Sequence, residues 1–280
     1  MAHVYVASAF SKNNTGGNKA GVVLDSTNLT VSQKKHIAKT LGYSETAFIS
    51  PSLLGDYKLE YFTPTDEVDL CGHATIATFS VLYHLQKLTK ENYLIETKAG
   101  LLRIQVDTEG MILMEQNIPT YGDILSPILL TSSMQHTTSS SPIQIVSTGL
   151  KDILYPVSSI EQLHALEPDY EAMIELSKDL DVVGVHAFTI THTDHVTAIC
   201  RNFAPLYGIN EESATGTANC ALACYLFKHY KPQQEYIFEQ GYNLHSPSQI
   251  IARIDYTEDT IHAVYVGGKG YMVCERDIEV

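Results

Sequence analysis

Two stretches of the chain, Leu70 to Gln86 and Ser213 to Phe227, contain no Asp, Glu, Lys or Arg. Apolar residues occupy their whole helical circumference and not one stripe, which is the pattern of a helix buried on every side. With internal Thr, His or Asn and only 17 or fewer residues, they fall at or below the length and apolarity of a membrane span. Around them lie short alternating runs that predict strands: His3 to Ala9, Tyr57 to Phe62, Asn92 to Glu96, Leu101 to Asp107, Met111 to Glu115, Val196 to Phe203, Ile250 to Asp255 and His262 to Val266. Thr30-x-x-Gln33 is a capping box and Gly42 a C-terminal stop, so a helix is expected over Val31 to Leu41. Ser159-x-x-Gln162 opens another, followed by one over Pro168 to Leu180.

The chain also repeats itself. Ala47-Phe48-Ile49 is answered 140 residues on by Ala187-Phe188-Thr189, and Phe62-Thr63-Pro64 is answered 141 on by Phe203-Ala204-Pro205. Gly72, opening one apolar stretch, is answered 144 on by Gly216, opening the other. Three landmarks in order argue for duplication. Each half then holds many short, mostly antiparallel strands, one surface helix and one helix that a sheet must wrap to bury. The expected class is α+β, with two pseudo-symmetric domains, 1–120 and 121–280, the last strand being free to return to the first. The polar stretch Thr131 to Pro142 is a candidate linker or surface loop, although Glu115 to Thr120 serves equally as the crossover.

A length of 280 residues favours two domains, and 44% apolar against 18% charged residues suits a globular protein with a real core. The formal charge of −14 opposes a phosphate-dominated partner, so nucleic acid is not expected. No basic start with a long apolar run opens the chain and no 18-residue apolar run occurs, so no membrane partner and a cytoplasmic location are expected. The five cysteines form no CxxC pair, and Cys220 and Cys224 read as one packed helix face. The His192 to His195 cluster reads as a polar turn, and no metal is expected.

Helix starts offer free N–H groups and partial positive charge, so Gly72-His73 and Gly216-Thr217 are candidates to hold a substrate carboxylate or oxyanion in a cleft between the halves. Where the repeat is broken, Ser44-Glu45 stands against Val185-His186, leaving Glu45 without a carboxylate counterpart. A single acid at such a place is a candidate general acid/base if the cleft desolvates it, the alternative being a solvated Glu. His73 reads as an acid, an orienting group or a core histidine. Glu211-Glu212 reads as a site acid or as a complement to the helix dipole. Cys71 is a candidate thiolate base at the helix start, and its repeat counterpart is Thr215.

SETAFI at 44–49, FTPTDEVDLCGHAT at 62–75 and EESATGTA at 211–218 resemble the PhzF-like isomerases of phenazine biosynthesis. GGNKAGVVL at 16–24, VSTGLKDILYPV at 146–157, RNFAP at 201–205 and FEQG with SPSQI at 238–250 extend the resemblance to nearly the whole chain. It implies a diaminopimelate-epimerase-like fold, a cofactor-free site, a small carboxylate-bearing substrate and usually a homodimer. It also implies that Glu45 moves the proton and that His73 and the acid at 212 hold the substrate. Asn18 and Ser44 would lie beside it, and small residues at Gly72, Gly216 and Thr217 would offer their N–H groups.

One departure stands out: the family's Asp-Pro-Ala-Thr-Gly is Glu212-Ser213-Ala214-Thr215-Gly216 here. The carboxylate is one methylene longer and the turn has lost its proline, which points to a different substrate. The same fold hosts epimerases with two paired cysteines. Here only Cys71 fills such a place, and the Thr215 hydroxyl is too weak a base to fill the other. An isomerase using Glu45 is the expected function. An epimerase or racemase using Cys71, and a catalytically silent binding protein of the same fold, are the competing readings.

Overall fold

The structure is a computed structural model that describes residues 1–134, 141–191, 193 and 195–280. Part of the Thr131 to Pro142 stretch, and His192 and Asp194 of the predicted polar turn, lie outside the described residues. The chain divides into two units, Met1–Glu115 with Gly267–Val280, and Gln116–Val266. The division therefore falls five residues before the expected boundary at 120, and the returning segment begins at Gly267.

In the first unit the strands order as Tyr271–Ile278, Ala2–Ala9, Asn18–Val23, Thr46–Ser50, Tyr57–Phe62, Asn92–Thr97, Gly100–Val106 and Ile112–Gln116. The pairs Asn18–Val23/Thr46–Ser50 and Tyr57–Phe62/Asn92–Thr97 are parallel and the others antiparallel. Helix α1, Val31–Leu41, covers one face: Ile37, Ala38 and Leu41 pack on Val4, Val6, Val23, Phe48 and Phe62. Its start is the predicted capping box and its end is Gly42, left-handed at φ 71°. Helix α2, Gly72–His84, is buried from His73 through Leu82 and packs on the strands Ala2–Ala9 and Asn18–Val23. Phe79 from α2 meets the rings of Tyr57 and Tyr93 edge-on.

The second unit repeats the plan. Thr120–Leu125, Ile143–Ser147, Lys151–Pro156, Gly184–Ile190, Ala198–Ala204, Glu235–Gln240 and Ser248–Thr257 pair in that order. The parallel pairs fall at the equivalent places, Lys151–Pro156/Gly184–Ile190 and Ala198–Ala204/Glu235–Gln240. Helices α3, Ile160–His164, and α4, Tyr170–Leu180, cover one face through Leu163 and Met173 against Val185, Ala187 and Phe203. Helix α5, Gly216–His229, is buried from Ala218 through Phe227. Both apolar stretches are thus enclosed helices, and the fold is α+β as expected. Among the described residues no helix is long and apolar enough to cross a membrane.

Strand register corrects one landmark of the repeat. Thr46 pairs with Phe62 and Val185 pairs with Phe203. Phe62 lies in the cluster under α1, and Val185 and Phe203 lie in that under α3 and α4, so these are the equivalent pairs. Phe48 then corresponds to Ala187. Phe188, matched to Phe48 from sequence, faces the opposite way and packs on Tyr225 of α5 with ring centroids 5.5 Å apart. A one-residue slip turns a strand side chain to the other face, which a match of letters does not detect. Glu45 now corresponds to Gly184, and it still has no carboxylate counterpart.

Several strands escaped the sequence pattern because a helix covers each face. Ile143–Ser147 is buried at every position, as is Gly184–Ile190 except at its last residue, so neither shows the alternation that marks a half-buried strand. The enclosed helices carry the core: Ile76→Ala in α2 and Leu222→Ala in α5, both side chains fully buried, should each cost about 2–5 kcal/mol in urea unfolding. A loss below 1 kcal/mol at either position, roughly the worth of one methylene, would contradict full enclosure.

Candidate active site

In the first unit the strand order places the start of Thr46–Ser50 beside the start of α2. Glu45 immediately precedes that strand, and Cys71 is the N-cap of α2, followed by Gly72 as its first residue and His73. The His73 ring, 7% exposed, lies among side chains: Nε2 is 3.2 Å from Glu45 Oε2 and 3.5 Å from Ser44 Oγ, and Nδ1 is 3.4 Å from Cys71 Sγ. It is therefore not a core histidine satisfied by the backbone. Glu45 Oε2 is buried, and its approach to the imidazole lies off the axis of a hydrogen bond, so this oxygen keeps an unused lone pair. The ligand atoms of Glu45, Cys71 and His73 all lie within 4.8 Å of one another, the only such set that could hold a metal among the described residues.

The helix start is held from behind. Thr75 Oγ1 donates to the Cys71 carbonyl (2.8 Å) and meets the Tyr61 hydroxyl (2.6 Å), while the Thr75 N–H makes the first bond of α2, to the same carbonyl. Burial pushes the Tyr61 phenol far above its usual range, so it stays neutral. The N–H groups of Gly72 and His73 precede that first bond. A Cβ at Gly72 would meet only the flexible end of Met114, at 3.2 Å. Asn18 opens the strand Asn18–Val23 opposite Ala9. The preceding Gly17 is required there: at φ +80° a Cβ would lie 2.4 Å from the Ala9 carbonyl oxygen.

In the second unit Glu212 ends the short strand Ile209–Glu212, opposite Asn202. The two adjacent acids divide their work. Glu211, buried, makes a paired bridge to Arg201, with Nε to Oε1 at 2.9 Å and Nη2 to Oε2 at 2.8 Å. Arg201 also donates to the carbonyls of Leu163 and Leu166 and lies 4.9 Å from the Phe203 ring centroid, so this pair anchors the end of α3. Glu212 instead accepts the Thr215 hydroxyl at 2.6 Å, and Thr215 is the N-cap of α5, followed by Gly216 and Thr217.

A one-way chain of donors leads to that carboxylate. Asn202 Nδ2 donates to His186 Nδ1 (3.2 Å), which leaves the ring proton on Nε2 to reach Asn219 Oδ1 (3.3 Å). Asn219 Nδ2 donates to Gln240 Oε1 and to the Thr215 carbonyl, both at 2.8 Å. Gln240 Nε2 donates to the Glu212 carbonyl (2.7 Å) and to Thr215 Oγ1 (3.1 Å). Thr215 is thereby committed as acceptor from Gln240 and donor to Glu212. Burial pulls His186 down to about 4, keeping it neutral. Burial, and secondly the charge of Glu212, push Asp152 up to about 8, so a proton is retained there near neutral pH.

Of the residues singled out in the sequence, the first unit brings together Ser44, Glu45, Gly72 and His73, with Cys71 among them, and sets Asn18 at the start of a neighbouring strand. The second unit brings together Glu212, Gly216 and Thr217. Asp152, His186, Asn219 and Gln240 were missed. Asp152 and His186 lie on strands with no alternation, and Asn219 lies inside an otherwise apolar helix; a polar residue within a buried stretch was the available signal. Cys220 and Cys224 are buried thiols on α5, and burial raises both, Cys220 to about 12.

The fold that carries these residues is shared with isomerases. An uncharacterized isomerase of Deinococcus radiodurans is 34% identical over 272 residues, covering 90% of this chain and 86% of its own. The trans-2,3-dihydro-3-hydroxyanthranilate isomerase of Pseudomonas aeruginosa is 28% identical over 284 residues, 98% of each chain. The crystal structure of a phenazine biosynthesis protein of the PhzF family from Bacillus anthracis matches with a TM-score of 0.90 at 29% identity, over 100% of this chain and 99% of that one. The protein is an enzyme of the isomerase class. Residues 7–276 match the phenazine biosynthesis-like protein family, PhzC-PhzF, and the chain belongs to it.

The two buried titrating groups make stability depend on pH in opposite senses. Between 3.8 and about 8 the folded state keeps a proton on Asp152 that the unfolded chain releases, so rising pH destabilises. Between about 4 and 6.5 the folded state lacks a proton that unfolded His186 takes up, so falling pH destabilises. The two slopes offset each other up to 6.5, and above it only that of Asp152 remains. Urea unfolding of the wild type should therefore show stability falling from pH 6.5 to about 8, with the slope reduced in Asp152→Asn to what exposed His3, raised by its bond to Asp277, contributes in the same sense. An unchanged slope in that variant would show that Asp152 is already ionised when folded.

Proposed function

We propose that this isomerase needs no cofactor and moves a proton between two carbons of a small carboxylate-bearing substrate, with Glu45 as the acid/base. The observation that carries the reading is the Glu45 carboxylate itself, 83% covered, touching only an imidazole among charged partners, with one buried oxygen not hydrogen-bonded. Glu45 takes a proton from a carbon next to a carbonyl or unsaturated system. The electron pair left behind delocalises, and the same carboxyl returns the proton to another carbon, so the reaction is redox-neutral. His73 orients Glu45 and donates to the developing anion. The N–H groups at the start of α2 hold the substrate carboxylate beside Ser44 and Asn18. In the second unit Glu212 and the N–H groups of Gly216 and Thr217 are proposed to bind substrate, with the Glu212 carboxylate turned by Thr215. Acid/base catalysis of this kind contributes about 10²–10⁴ in rate.

The longer side chain of Glu212 supports a substrate different from that of relatives with Asp at this place. Cyclic carboxylates come first as candidates, because the Pseudomonas relative is named for one. A homodimer is also proposed, by family likeness, and light scattering on the purified protein tests it. One observation favours a second reading: Cys71 Sγ is 3.4 Å from His73 Nδ1, close enough for the imidazole to take the thiol proton. Cys71 would then be the base of an epimerisation. Its partner in a two-base mechanism would not be Thr215, whose hydroxyl is already donated to Glu212.

Incubation with a library of small carboxylates in heavy water, read by mass spectrometry, separates these readings. Carbon-bound deuterium should appear with the wild type and fall at least about 100-fold in Glu45→Gln, which keeps the shape and removes the titrating group. Uptake that survives Glu45→Gln but is lost in Cys71→Ala would replace the first mechanism by the second. Uptake surviving both substitutions would refute both.

A further inference from the structure

The sheet of the second unit carries a cavity on its outer face, away from α5. Strand register sets the floor: Thr189 lies opposite Ile199 and Ile199 opposite Glu239, so the three side chains form one row across three strands. Ile199 packs at the edge of the cluster under α3 and α4, which puts the row on the face those helices cover. The next residues along, Phe188 and Gln240, point the other way, to α5 and into the amide path toward Glu212. The sheet therefore separates this cavity from the candidate site. It holds about 470 Å³ over Thr189, Ile199 and Glu239, with Ile160 and Val196 as apolar walls and Glu161 at the rim. Small-molecule sites run from roughly 300 to 1,000 Å³.

We propose that this cavity binds a small organic ammonium ion, with its charged head at Glu239 and its apolar body against Ile160, Val196 and Ile199. Glu239 is only 5% exposed, and its Oε2 accepts the hydroxyl of Tyr242, whose ring meets that of His164 edge-on at 6.1 Å. The carboxylate is thus fixed at the floor, and a carboxylate taken so far out of water gains from an opposite charge. Among the described residues that line the cavity none is basic, and two are acids. Arg201, two residues along from Ile199 on the same face, is committed to its paired bridge with Glu211 and to the carbonyls of Leu163 and Leu166. Hydrogen bonds from its own backbone N–H and from Ser159 hold the Glu161 carboxyl below its usual range, so the rim stays negative. An anion would meet two carboxylates here, and a neutral ligand would bring no charge to the floor. The Thr189 hydroxyl, in the same row as Glu239, offers a further acceptor to an ammonium hydrogen. Binding is non-covalent and independent of the reaction proposed at Glu45.

Cyclohexylammonium is the probe, with cyclohexanol and cyclohexanecarboxylate as its neutral and anionic counterparts. Calorimetric titration of the full-length protein should show saturable binding of the ammonium, with each counterpart at least about tenfold weaker. Glu239→Gln keeps an acceptor for Tyr242 and should weaken the ammonium at least about tenfold while leaving cyclohexanol unchanged. The chain has no tryptophan, so Ile160→Trp at the exposed rim gives a single emission that reports on this cavity. That emission should change and saturate with the ammonium, and stay constant when Glu239→Gln is added. Loss of both heat and emission change in Ile160→Trp, with binding kept in the wild type, would equally place the ligand here, the indole having filled the cavity. No binding by the wild type, cyclohexanol binding as tightly as the ammonium, or undiminished affinity in Glu239→Gln would each overturn the site. So would heat of binding by Ile160→Trp with no change in its emission, since the ligand would then sit elsewhere. If Glu239→Gln fails to fold, the three probes compared on the wild type still decide.

Discussion

A helix with no polar face cannot lie on a surface, and that constraint shapes both units of this protein. Helix α2 is buried from His73 through Leu82 and α5 from Ala218 through Phe227, so each must be surrounded by sheet before it can exist. A curved sheet that wraps a helix needs strands joined in a sequence of antiparallel and parallel pairs, and the two units adopt the same sequence. The remaining helices, α1 in one unit and α3 with α4 in the other, cover the opposite sheet face. The candidate site residues gather where the enclosed helices begin, at ends where the first N–H groups precede the helix's own hydrogen bonds.

The enclosure also explains why polar residues inside it are so completely organised. Asn219 and Gln240 are wholly buried, and the hydrogen bonds their amide nitrogens donate run along one path toward Thr215 and Glu212. A buried amide with its donors reversed would leave several groups unpaired, so the path fixes not only the position of Glu212 but its state as an acceptor. The neighbouring Glu211, one residue away on the same strand, faces the other side and answers to Arg201. Strand alternation turns a run of two acids into one anchor on Arg201 and one carboxylate held at the start of α5.

The enclosed helices, the capped surface helix and the duplication were legible in the sequence because each rests on a local signal: missing charge, a capping box, a glycine at a helix end. The strands buried on both faces were not, since burial on both sides erases the alternation by which a strand is read. The register of Phe48 against Ala187 was invisible for a related reason, as residue type says nothing about which face is covered. Within the site, Glu45 and His73 stood out through motif and broken symmetry. The closeness of Cys71 to both is a property of the fold, because residues 45 and 71 meet only when the strand and the helix start are side by side. Asp152 and His186 could be noticed only as polar letters in apolar runs.

The division of the chain bears on the order in which it acquires structure during synthesis. The second unit, Gln116–Val266, is one continuous segment. The first needs Gly267–Val280 as well, because Tyr271–Ile278 pairs along Ala2–Ala9. A ribosome therefore delivers everything the later unit requires while the earlier one still lacks an edge, and Ala2–Ala9 must wait with a row of open N–H and C=O groups for its last neighbour. An exposed strand edge invites foreign pairing. Of the strands of the first unit, Ala2–Ala9 is thus the one kept longest at risk of it, and a chaperone that recognises extended backbone would find its target there.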